Sequence, residues 1–510
     1  MSSLFDRDAR ACISEKKERI ILSNMAWVPM SLIPEHSKSR LEEGFTKKQQ
    51  GKERYGKEEV VIKLYNKDES KGLIGVPRRC SKELGQFLTT KTYVDDIRAV
   101  IEADWPEPRI TYRDNEQKKF VEGLLSYLKT DGFGGIGQAQ GGFGKTICGI
   151  LLAQKLGLKT LVLVHTRFLF EQWIDRIKFV FGESFKVGKI IEDTLILDSP
   201  IVVGMVQTIH SRRGLYSNKV FGGFGLLVND ECHRVGARQW SSVVKCFSAK
   251  YIVGLSATPR RKDGLDDVFH MLIGPVAVKS NKVMPKPTIY RILYKGTIEP
   301  WQYQTYPGSG KPSFSKLIKV VCENELRNLL LRAHILKAVR SGRRIMVLSD
   351  RVHHLIKLCN ACQKDLNKDP IVKKCALLVG GVPETEAEKK ARLEKAKKRK
   401  GKKKKKPKKE VRREMTDDEK AYAHAADAIF CTYHCVSEGF DIPSLDTLFL
   451  ATPRGDVEQS IYRIRRECDD SKPLIVLDIC DTGTPLLCGM SLKRKNYYIG
   501  ECFDTVDVTV

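Results

Sequence analysis

The sequence contains no hydrophobic run near the roughly 20 residues that a membrane-spanning helix needs, so a membrane protein is not expected. The segment Met1–Ile20 is charged and has no apolar core, so a secretory route is not expected either. Acidic residues are few: 62 Asp and Glu stand against 89 Lys and Arg, and the formal net charge at pH 7 is +27. This excess of positive charge favours a polyanionic partner, most simply nucleic acid.

A disulfide framework is not indicated. The 15 cysteines are odd in number and dispersed along 510 residues, so we expect reduced thiols in an intracellular setting. Cys359 and Cys362 have the spacing of zinc ligands, but the stretch Val352–Lys364 also reads as one amphipathic helix that buries both thiols in the core. Trp173 and Trp240 are expected to be core anchors, with base-stacking platforms as the alternative.

Positive charge is concentrated in one segment. Residues 389–413 hold 17 Lys and Arg against two Glu, a local net charge of +15 (17 − 2). We predict a surface insertion within residues 383–420 that is disordered by itself and attracts nucleic acid. A nuclear import signal is an alternative interpretation, although polylysine runs match such signals often.

The chain is too long for one hydrophobic core, so about two to four domains are expected. Residues 1–108 read as a small, separate α+β module. Residues 109–282 and 323–510 each alternate short apolar runs with helix-length amphipathic stretches, which predicts two α/β lobes with buried parallel sheets. Several prolines mark residues 283–322 as an irregular linker. The candidate strands are Leu161–Val164, Ile201–Val203, Leu226–Val228 and Tyr251–Leu255 in the first lobe and Arg344–Ser349, Ala376–Val379, Ala428–Cys431, Thr447–Leu450 and Leu474–Leu477 in the second.

A glycine-rich stretch lies between the turn-rich run Asp131–Ile136 and the apolar run Ile147–Leu156. Its spacing is that of a phosphate-binding loop, in which glycines let backbone N–H groups surround a triphosphate. We expect Lys145 to reach the β- and γ-phosphates, the Thr146 hydroxyl to bind Mg²⁺, and the positive end of the next helix to face the phosphates. The predicted loop consists of Ala139, Gln140, Gly141, Gly142, Phe143, Gly144, Lys145 and Thr146. By itself, such a loop also fits kinases, switches and pumps.

The segment Asn229–His233, which contains the acidic pair Asp230 and Glu231, follows the candidate strand Leu226–Val228 directly. In phosphoryl hydrolysis, a carboxylate at a strand end holds Mg²⁺, and a neighbouring one orients or deprotonates the attacking water. Asp230 suits the metal role and Glu231 the role of the base. Ser256 and Thr258 follow a later strand, and their hydroxyls can bond to His233 or the acidic pair and so transmit the state of the nucleotide.

In the second lobe, the segment Gln459–Arg466 has helical spacing that puts Arg463 and Arg466 on one face. Cations are needed against the charge that develops on the γ-phosphoryl group, and arginines from a second lobe act only when the cleft closes. We therefore predict catalytic roles for Gln459, Arg463 and Arg466.

Taken in order, the phosphate loop, Asp-Glu-Cys-His, Ser-Ala-Thr, Ser437–Asp441 and Gln459–Arg466 resemble the motifs of a superfamily-two helicase of the DEAD/DEAH-like type. The resemblance spans about residues 110–470. It implies two RecA-like lobes and hydrolysis of ATP with Mg²⁺ during movement along nucleic acid. The further site residues that it implies are Thr166, Arg167, Gln207, Thr208 and Ser437 against the nucleic-acid backbone and Gln117, Gly439 and Asp441 against the nucleotide. For Gln117, a polar helix start is the alternative.

The Gln-Trp pair at 172–173 and the run Gly254–Arg261 resemble the branch that contains the transcription/repair helicase of eukaryotic transcription factor H. Within it, the chain resembles the poxvirus transcript-release helicases and their African swine fever virus counterpart. This resemblance implies a DNA-dependent ATPase acting in viral transcription or genome processing, with the transcription machinery as a partner. It also implies a place in the host cytoplasm (the virus factory), with the virion and the nucleus as alternatives. An RNA-directed helicase and a basic nucleic-acid-binding scaffold with weak ATPase activity stay open as other functions.

Overall fold

The computed structural model describes residues 19–48, 61–89, 92–260, 265–282, 284–305, 312–383, 412–413, 415–437, 444–464 and 472–510. The chain divides into two compact units, Met1–Lys282 and Val283–Val510. Within the described ranges, no helix is both long enough and apolar enough to cross a membrane.

Unit 1 begins with a small, mostly antiparallel sheet. Its described strands have the order β5-β6-β2-β1-β7, in which only β1 and β7 pair in parallel, and β3 pairs with β4 beside it. The strands are β1 (Arg19–Leu22), β2 (Ala26–Pro29), β3 (Thr46–Lys48), β4 (Val61–Lys63), β5 (Asn66–Asp68), β6 (Leu73–Val76) and β7 (Tyr93–Asp96). The α-helices of this part are Glu35–Gly44 and Ser81–Leu84.

The second sheet of unit 1 has eight strands among the described residues, in the order β11-β10-β12-β9-β13-β14-β8-β15. All neighbours are parallel except the β10–β11 hairpin. The strands are β8 (Gly134–Gln138), β9 (Thr160–Val164), β10 (Gly188–Ile191), β11 (Thr194–Ile196), β12 (Ile201–Met205), β13 (Leu226–Asp230), β14 (Tyr251–Ser256) and β15 (Val276–Lys279). The helices are Asn115–Asp131, Lys145–Leu156, Arg167–Phe181, Val206–Arg212, Asn218–Phe221, Arg238–Val244 and Asp266–Leu272.

Strand β8 begins at Gly134 and takes up the second half of the predicted turn-rich run Asp131–Ile136, so the prediction is wrong for residues 134–136. Its glycines permit close packing and do not form turns. A Cβ on Gly134 would lie 2.0 Å from the Ile252 carbonyl oxygen, and one on Gly137 would lie 2.6 Å from the Phe120 ring. The glycines therefore let neighbouring elements approach the strand.

The N-terminal sheet does not pack as an independent module. One hydrophobic cluster runs from β1, β2 and β6 into one face of the eight-stranded sheet. The Arg79 guanidinium donates to both carboxylate oxygens of Asp131 (2.6 and 2.7 Å), and Arg98 donates to the carbonyl groups of Gly132 (2.5 Å) and Lys250 (3.0 Å). The described residues between 19 and 99 thus share a core with the first lobe, which differs from the separate module that the sequence predicted.

Unit 2 holds a seven-stranded sheet among the described residues, entirely parallel, in the order β18-β21-β17-β22-β23-β16-β24. The strands of unit 2 are β16 (Thr288–Tyr294), β17 (Ile345–Ser349), β18 (Cys375–Leu378), β19 (Val382–Pro383), β20 (Arg412–Arg413), β21 (Ala428–Thr432), β22 (Thr447–Leu450), β23 (Ile475–Asp481) and β24 (Thr505–Thr509). The helices are Phe314–Glu323, Glu325–Arg340, Val352–Leu366, Asp417–Ala425, Tyr433–Ser437, Glu458–Ile461 and Pro485–Gly500.

The structure confirms the predicted α/β class with two parallel-sheet lobes. The prediction of an irregular linker at 283–322 is wrong in part. Strand β16 pairs with both β23 and β24 inside the second sheet, and the helix Phe314–Glu323 buries Leu317 and Val321. Pro285 and Pro287 come just before β16, and no proline lies within it, so the strand is not interrupted.

Two smaller predictions concern the second unit. The helix Val352–Leu366 buries Cys359 and Cys362, so the core interpretation of these cysteines is confirmed. Most of the predicted basic insertion, 384–411, lies outside the described residues. Strands β19 and β20 at its two ends pair in antiparallel fashion.

Candidate nucleotide site and nucleic-acid-contacting segments

The predicted phosphate loop connects β8 to the helix Lys145–Leu156. Gly142 (φ 82°) and Gly144 (φ 93°) have left-handed backbones, which glycine adopts without strain. The Lys145 ammonium folds back over the loop and donates to the carbonyl oxygens of Ala139 (3.0 Å) and Gln140 (3.4 Å). Thr146 lies in the first turn of the helix. The loop therefore precedes a helix N-terminus, the local arrangement that binds phosphate groups.

Gln117 lies against this loop. Its amide nitrogen donates to the Phe143 carbonyl oxygen (2.7 Å), and its amide oxygen accepts from the Arg113 backbone N–H (2.9 Å). The neighbouring Asp114 caps the helix Asn115–Asp131 and pairs with Lys282 at 2.9 Å. The structure brings Gln117 to the phosphate loop, and its expected contact with the nucleotide stays a prediction.

Asp230 ends strand β13 and is buried, while Glu231 starts the following loop. Burial raises the pKa of Asp230 to about 6, the Glu231 charge adds to that rise, and a hydrogen bond from Trp173 opposes it. The backbone of Glu231 is left-handed (φ 51°), a conformation that costs a non-glycine residue about 1–3 kcal/mol. Asp230 is 5% exposed and enclosed in the core, whereas the Glu231 side chain is 24% exposed.

The predicted coupling residues meet beside the acidic pair. His233 Nδ1 lies 3.2 Å from Ser256 Oγ and 3.5 Å from Glu231 Oε2. The Ser256 carbonyl oxygen accepts from the Ala139 N–H of the phosphate loop at 3.1 Å, and its hydroxyl accepts from the Thr258 N–H at 3.2 Å. Contacts through Ser256 thus join the phosphate loop to His233.

Trp173 contacts the acidic pair, a role that the sequence did not indicate. Its indole is fully buried on the helix Arg167–Phe181, and the indole N–H donates to Asp230 Oδ2 at 2.8 Å. The indole N–H of Trp240 likewise donates a hydrogen bond to Oδ1 of the neighbouring Asn229, at 3.0 Å. Both rings are buried as core anchors, so they do not serve as base-stacking platforms. The signal that would have revealed Trp173 is its place on the helix after β9, the strand that pairs with β13.

Replacing Trp173 with phenylalanine would keep most of the buried volume and remove the N–H that holds Asp230. If Asp230 binds Mg²⁺ as the sequence predicts, we expect the Mg²⁺ concentration for half-maximal ATP hydrolysis to rise by about 10-fold, the usual effect of losing a group that orients a metal ligand. Trp240→Phe is the matched control, because it removes an equivalent bond from Asn229. A metal titration that gives the same requirement for both variants, at similar melting temperatures, would contradict the positioning role.

The predicted nucleic-acid contacts of unit 1 lie at the ends of two adjacent strands, β9 and β12. Thr166 caps the helix Arg167–Phe181, and Gln207 donates to the His165 carbonyl oxygen at 2.7 Å. The β10–β11 turn joins the two segments, since Glu192 pairs with Arg167 (3.2 Å) and its N–H donates to the Thr208 hydroxyl (3.1 Å). These residues form one cluster at the carboxyl edge of the sheet. Contact with nucleic acid stays a prediction.

The candidate residues of unit 2 are only partly described. Gln459 lies half-buried in the helix Glu458–Ile461, and Arg463 lies in the turn after it. The helix ends at Ile461, and the Arg463 N–H bonds to the Ser460 carbonyl oxygen in the tighter i→i−3 pattern, so the predicted helical spacing does not continue through residues 462–464. Ser437 ends the helix Tyr433–Ser437. The residues that lie outside the described part of the chain are Gly439, Asp441 and Arg466.

The proteins that this chain resembles include three viral ones, and one family model matches part of the chain. The family described as "Type III restriction enzyme, res subunit" matches residues 111–261. The chain is 29% identical over 414 residues to a putative ATP-dependent RNA helicase of Acanthamoeba polyphaga mimivirus, covering 79% of this chain and 71% of that protein. It is 30% identical over 263 residues to a probable helicase of Escherichia phage T5 (50% and 52% covered). It is 28% identical over 406 residues to a putative ATP-dependent RNA helicase of African swine fever virus, isolate Pig/Kenya/KEN-50/1950 (71% and 69% covered).

Proposed function

This chain belongs to helicase superfamily two, and from that premise we propose that it is an ATP-driven translocase that acts on DNA during viral transcription. The observation that carries the proposal is the series of contacts along three strand ends of unit 1. From the phosphate loop, the Ala139 N–H bonds to Ser256, Ser256 contacts His233, and His233 lies beside Glu231. A change at the nucleotide can therefore be transmitted to the residues that activate water, which a translocase requires.

The residues at the loop fit a magnesium nucleotide. The Lys145 ammonium is bonded only to backbone carbonyl groups within the described structure, so phosphate oxygens can replace them. Asp230 is a buried carboxylate whose ionised form a divalent cation would stabilise. With Thr146 and Asp230 as its protein ligands, Mg²⁺ would neutralise charge on the phosphate oxygens. Lys145 would hold the same oxygens, and Glu231 would accept the proton of the attacking water.

The choice of DNA rests on the motif resemblance to the branch of the transcription/repair helicase. A second candidate is an RNA-directed helicase, which the names of the mimivirus and African swine fever virus relatives favour. A third is a scaffold with weak ATPase activity. The presence of Lys145, Asp230 and Glu231 together argues against the scaffold, because binding alone does not need a water-activating carboxylate.

The test is ATP hydrolysis by the full chain with no nucleic acid, single-stranded DNA, duplex DNA or RNA of the same sequence. We expect DNA to raise phosphate release by about 10-fold or more over the basal rate, which is about 1.4 kcal/mol of transition-state stabilisation. Equal or greater stimulation by RNA would replace the DNA proposal with the RNA one. Nucleic-acid binding without phosphate release would support the scaffold.

A further inference from the structure

A polar groove with a volume of about 1470 Å³ lies within unit 1, outside the nucleotide site. One wall comes from Trp27 and the segment Val61–Ser70 of the N-terminal part. The other wall comes from residues at the end of the helix Val206–Arg212 and on the helix Arg238–Val244. None of the phosphate-loop residues or the acidic pair lines it, so the groove needs a separate explanation.

The wall of the groove that the helices form carries positive charge with which no described carboxylate pairs. Arg213 and Arg238 are exposed, and neither forms an ion pair with a carboxylate among the described residues. Both charges act on His210, whose pKa is lowered first by burial and then by the two arginines. The ammonium of Lys245 lies deeper and donates to the carbonyl oxygen of Lys63 (2.9 Å) and to Asn66 Oδ1 (3.2 Å), both uncharged. This wall thus concentrates cations whose charge no described anion compensates.

Of the three carboxylates on the opposite wall, two are compensated by their own neighbours, and the third, Glu69, is exposed and forms no ion pair among the described residues. Glu42 pairs with Lys67 at 2.6 Å and accepts from the Tyr65 hydroxyl at 2.8 Å. Asp68 accepts from the Ser70 hydroxyl at 2.6 Å and lies 3.7 Å from the Lys71 ammonium. Because Glu42 and Asp68 already have partners, they repel an incoming anion only weakly. Arg213 and Arg238 therefore contribute most of the charge that an anion in the groove would meet.

The groove also continues the predicted nucleic-acid surface. Gln207 and Thr208 lie at the start of the helix Val206–Arg212, and Arg213 comes directly after its end. At 1.5 Å per residue, Gln207 and Arg213 are separated by about 9 Å along this helix. A strand of nucleic acid that contacts Gln207 and Thr208 can therefore reach the groove without leaving the surface of unit 1.

We propose that this groove binds the phosphodiester backbone of nucleic acid through Arg213 and Arg238, with the N-terminal part forming its second wall. The proposal rests on the proposed function and extends it to a second contact surface. Arginine suits the role because its planar guanidinium offers paired donors to phosphate oxygens. Contacts of this kind carry affinity without sequence preference.

The test is the salt dependence of binding of a fluorescent duplex DNA, measured on the full chain between about 50 and 200 mM KCl. In the double variant Arg213→Gln/Arg238→Gln, we expect affinity near 0.1 M salt to fall by about 10-fold or more and the slope of log K against log salt to decrease by about 2. Lys118→Gln/Lys129→Gln is the matched control: it removes the same charge from exposed positions on the helix Asn115–Asp131, away from the groove.

An unchanged slope, or equal losses in the two double variants, would overturn the proposal, since a general charge effect would then explain the result. Competition for the groove by polyglutamate that is as strong as competition by unlabelled DNA would also overturn it, in favour of an acidic protein partner. Failure of the groove proposal can be distinguished from failure of the proposed function. If the unaltered chain releases no phosphate with any nucleic acid, the translocase proposal fails, while the binding slopes still decide the groove.

Discussion

Replacing Lys145 with alanine is expected to abolish ATP hydrolysis stimulated by nucleic acid, with a loss of turnover of about 10²-fold or more. The ammonium is held at the loop by two backbone carbonyl groups, 3.0 Å and 3.4 Å away, and has no carboxylate partner among the described residues. It is therefore positioned to exchange these oxygens for those of a triphosphate. Alanine at this position leaves a phosphate-binding loop without its cation.

The measurement is steady-state phosphate release with saturating DNA, together with the affinity for a fluorescent ATP analogue. Lys155→Ala is the matched control, because Lys155 lies exposed near the far end of the same helix, Lys145–Leu156. We expect that control to keep both activities. If Lys145→Ala hydrolysed ATP at the rate of the control, the loop would not be the site of hydrolysis, and the assignment of the nucleotide site would be wrong.

Replacing Glu231 with glutamine is expected to lower hydrolysis by about 10²- to 10⁴-fold, the usual contribution of a general base, while nucleotide binding is retained. Glutamine has the shape of glutamate and can still bond to His233, which lies 3.5 Å from the carboxylate. The fold should therefore survive the change, and so should the contact that leads to Ser256. The capacity to accept a proton from water is the property that is lost.

Single-turnover hydrolysis separates this effect from binding. Glu183→Gln is the control, because its carboxylate is exposed on the surface and pairs only with Lys178 among the described residues. Loss of ATP binding in Glu231→Gln in proportion to the loss of hydrolysis would indicate a role in holding the nucleotide. Unchanged hydrolysis would remove Glu231 from the chemistry and leave Asp230 as the remaining acidic candidate.

The parallel sheets and the loops of the site were largely predictable, because both depend on local sequence. The apolar runs around Leu161–Val164 and Leu226–Val228 became β9 and β13 with little change in their bounds. The sequence did not predict strands β8 and β16, because the residues in or beside them are types that usually mark turns. Glycine and proline usually mark turns, but here they allow close packing in Gly134–Gln138 and flank the strand Thr288–Tyr294. A single-sequence pattern does not distinguish these uses.

The shared core of the N-terminal part and the first lobe could not be predicted either. Composition separates residues 1–108 from the rest of the chain, but hydrophobic side chains carry no information on which surface they will bury against. The ion pair of Arg79 with Asp131 and the hydrogen bond from Arg98 to Lys250 join residues that lie far apart in the sequence. This arrangement creates the polar groove beside Lys245.

The sequence by itself indicated the proposed chemistry through a predicted phosphate loop with Lys145, an acidic pair after a buried strand, and the order of motifs that resembles the family. These features are local, so residue type and spacing suffice to specify them. Only the tertiary structure decided that Trp173 holds Asp230, 57 positions away, and that Arg213 and Arg238 line one groove. Both depend on which strands pair and how helices cross them, and those contacts join residues that no short-range pattern connects.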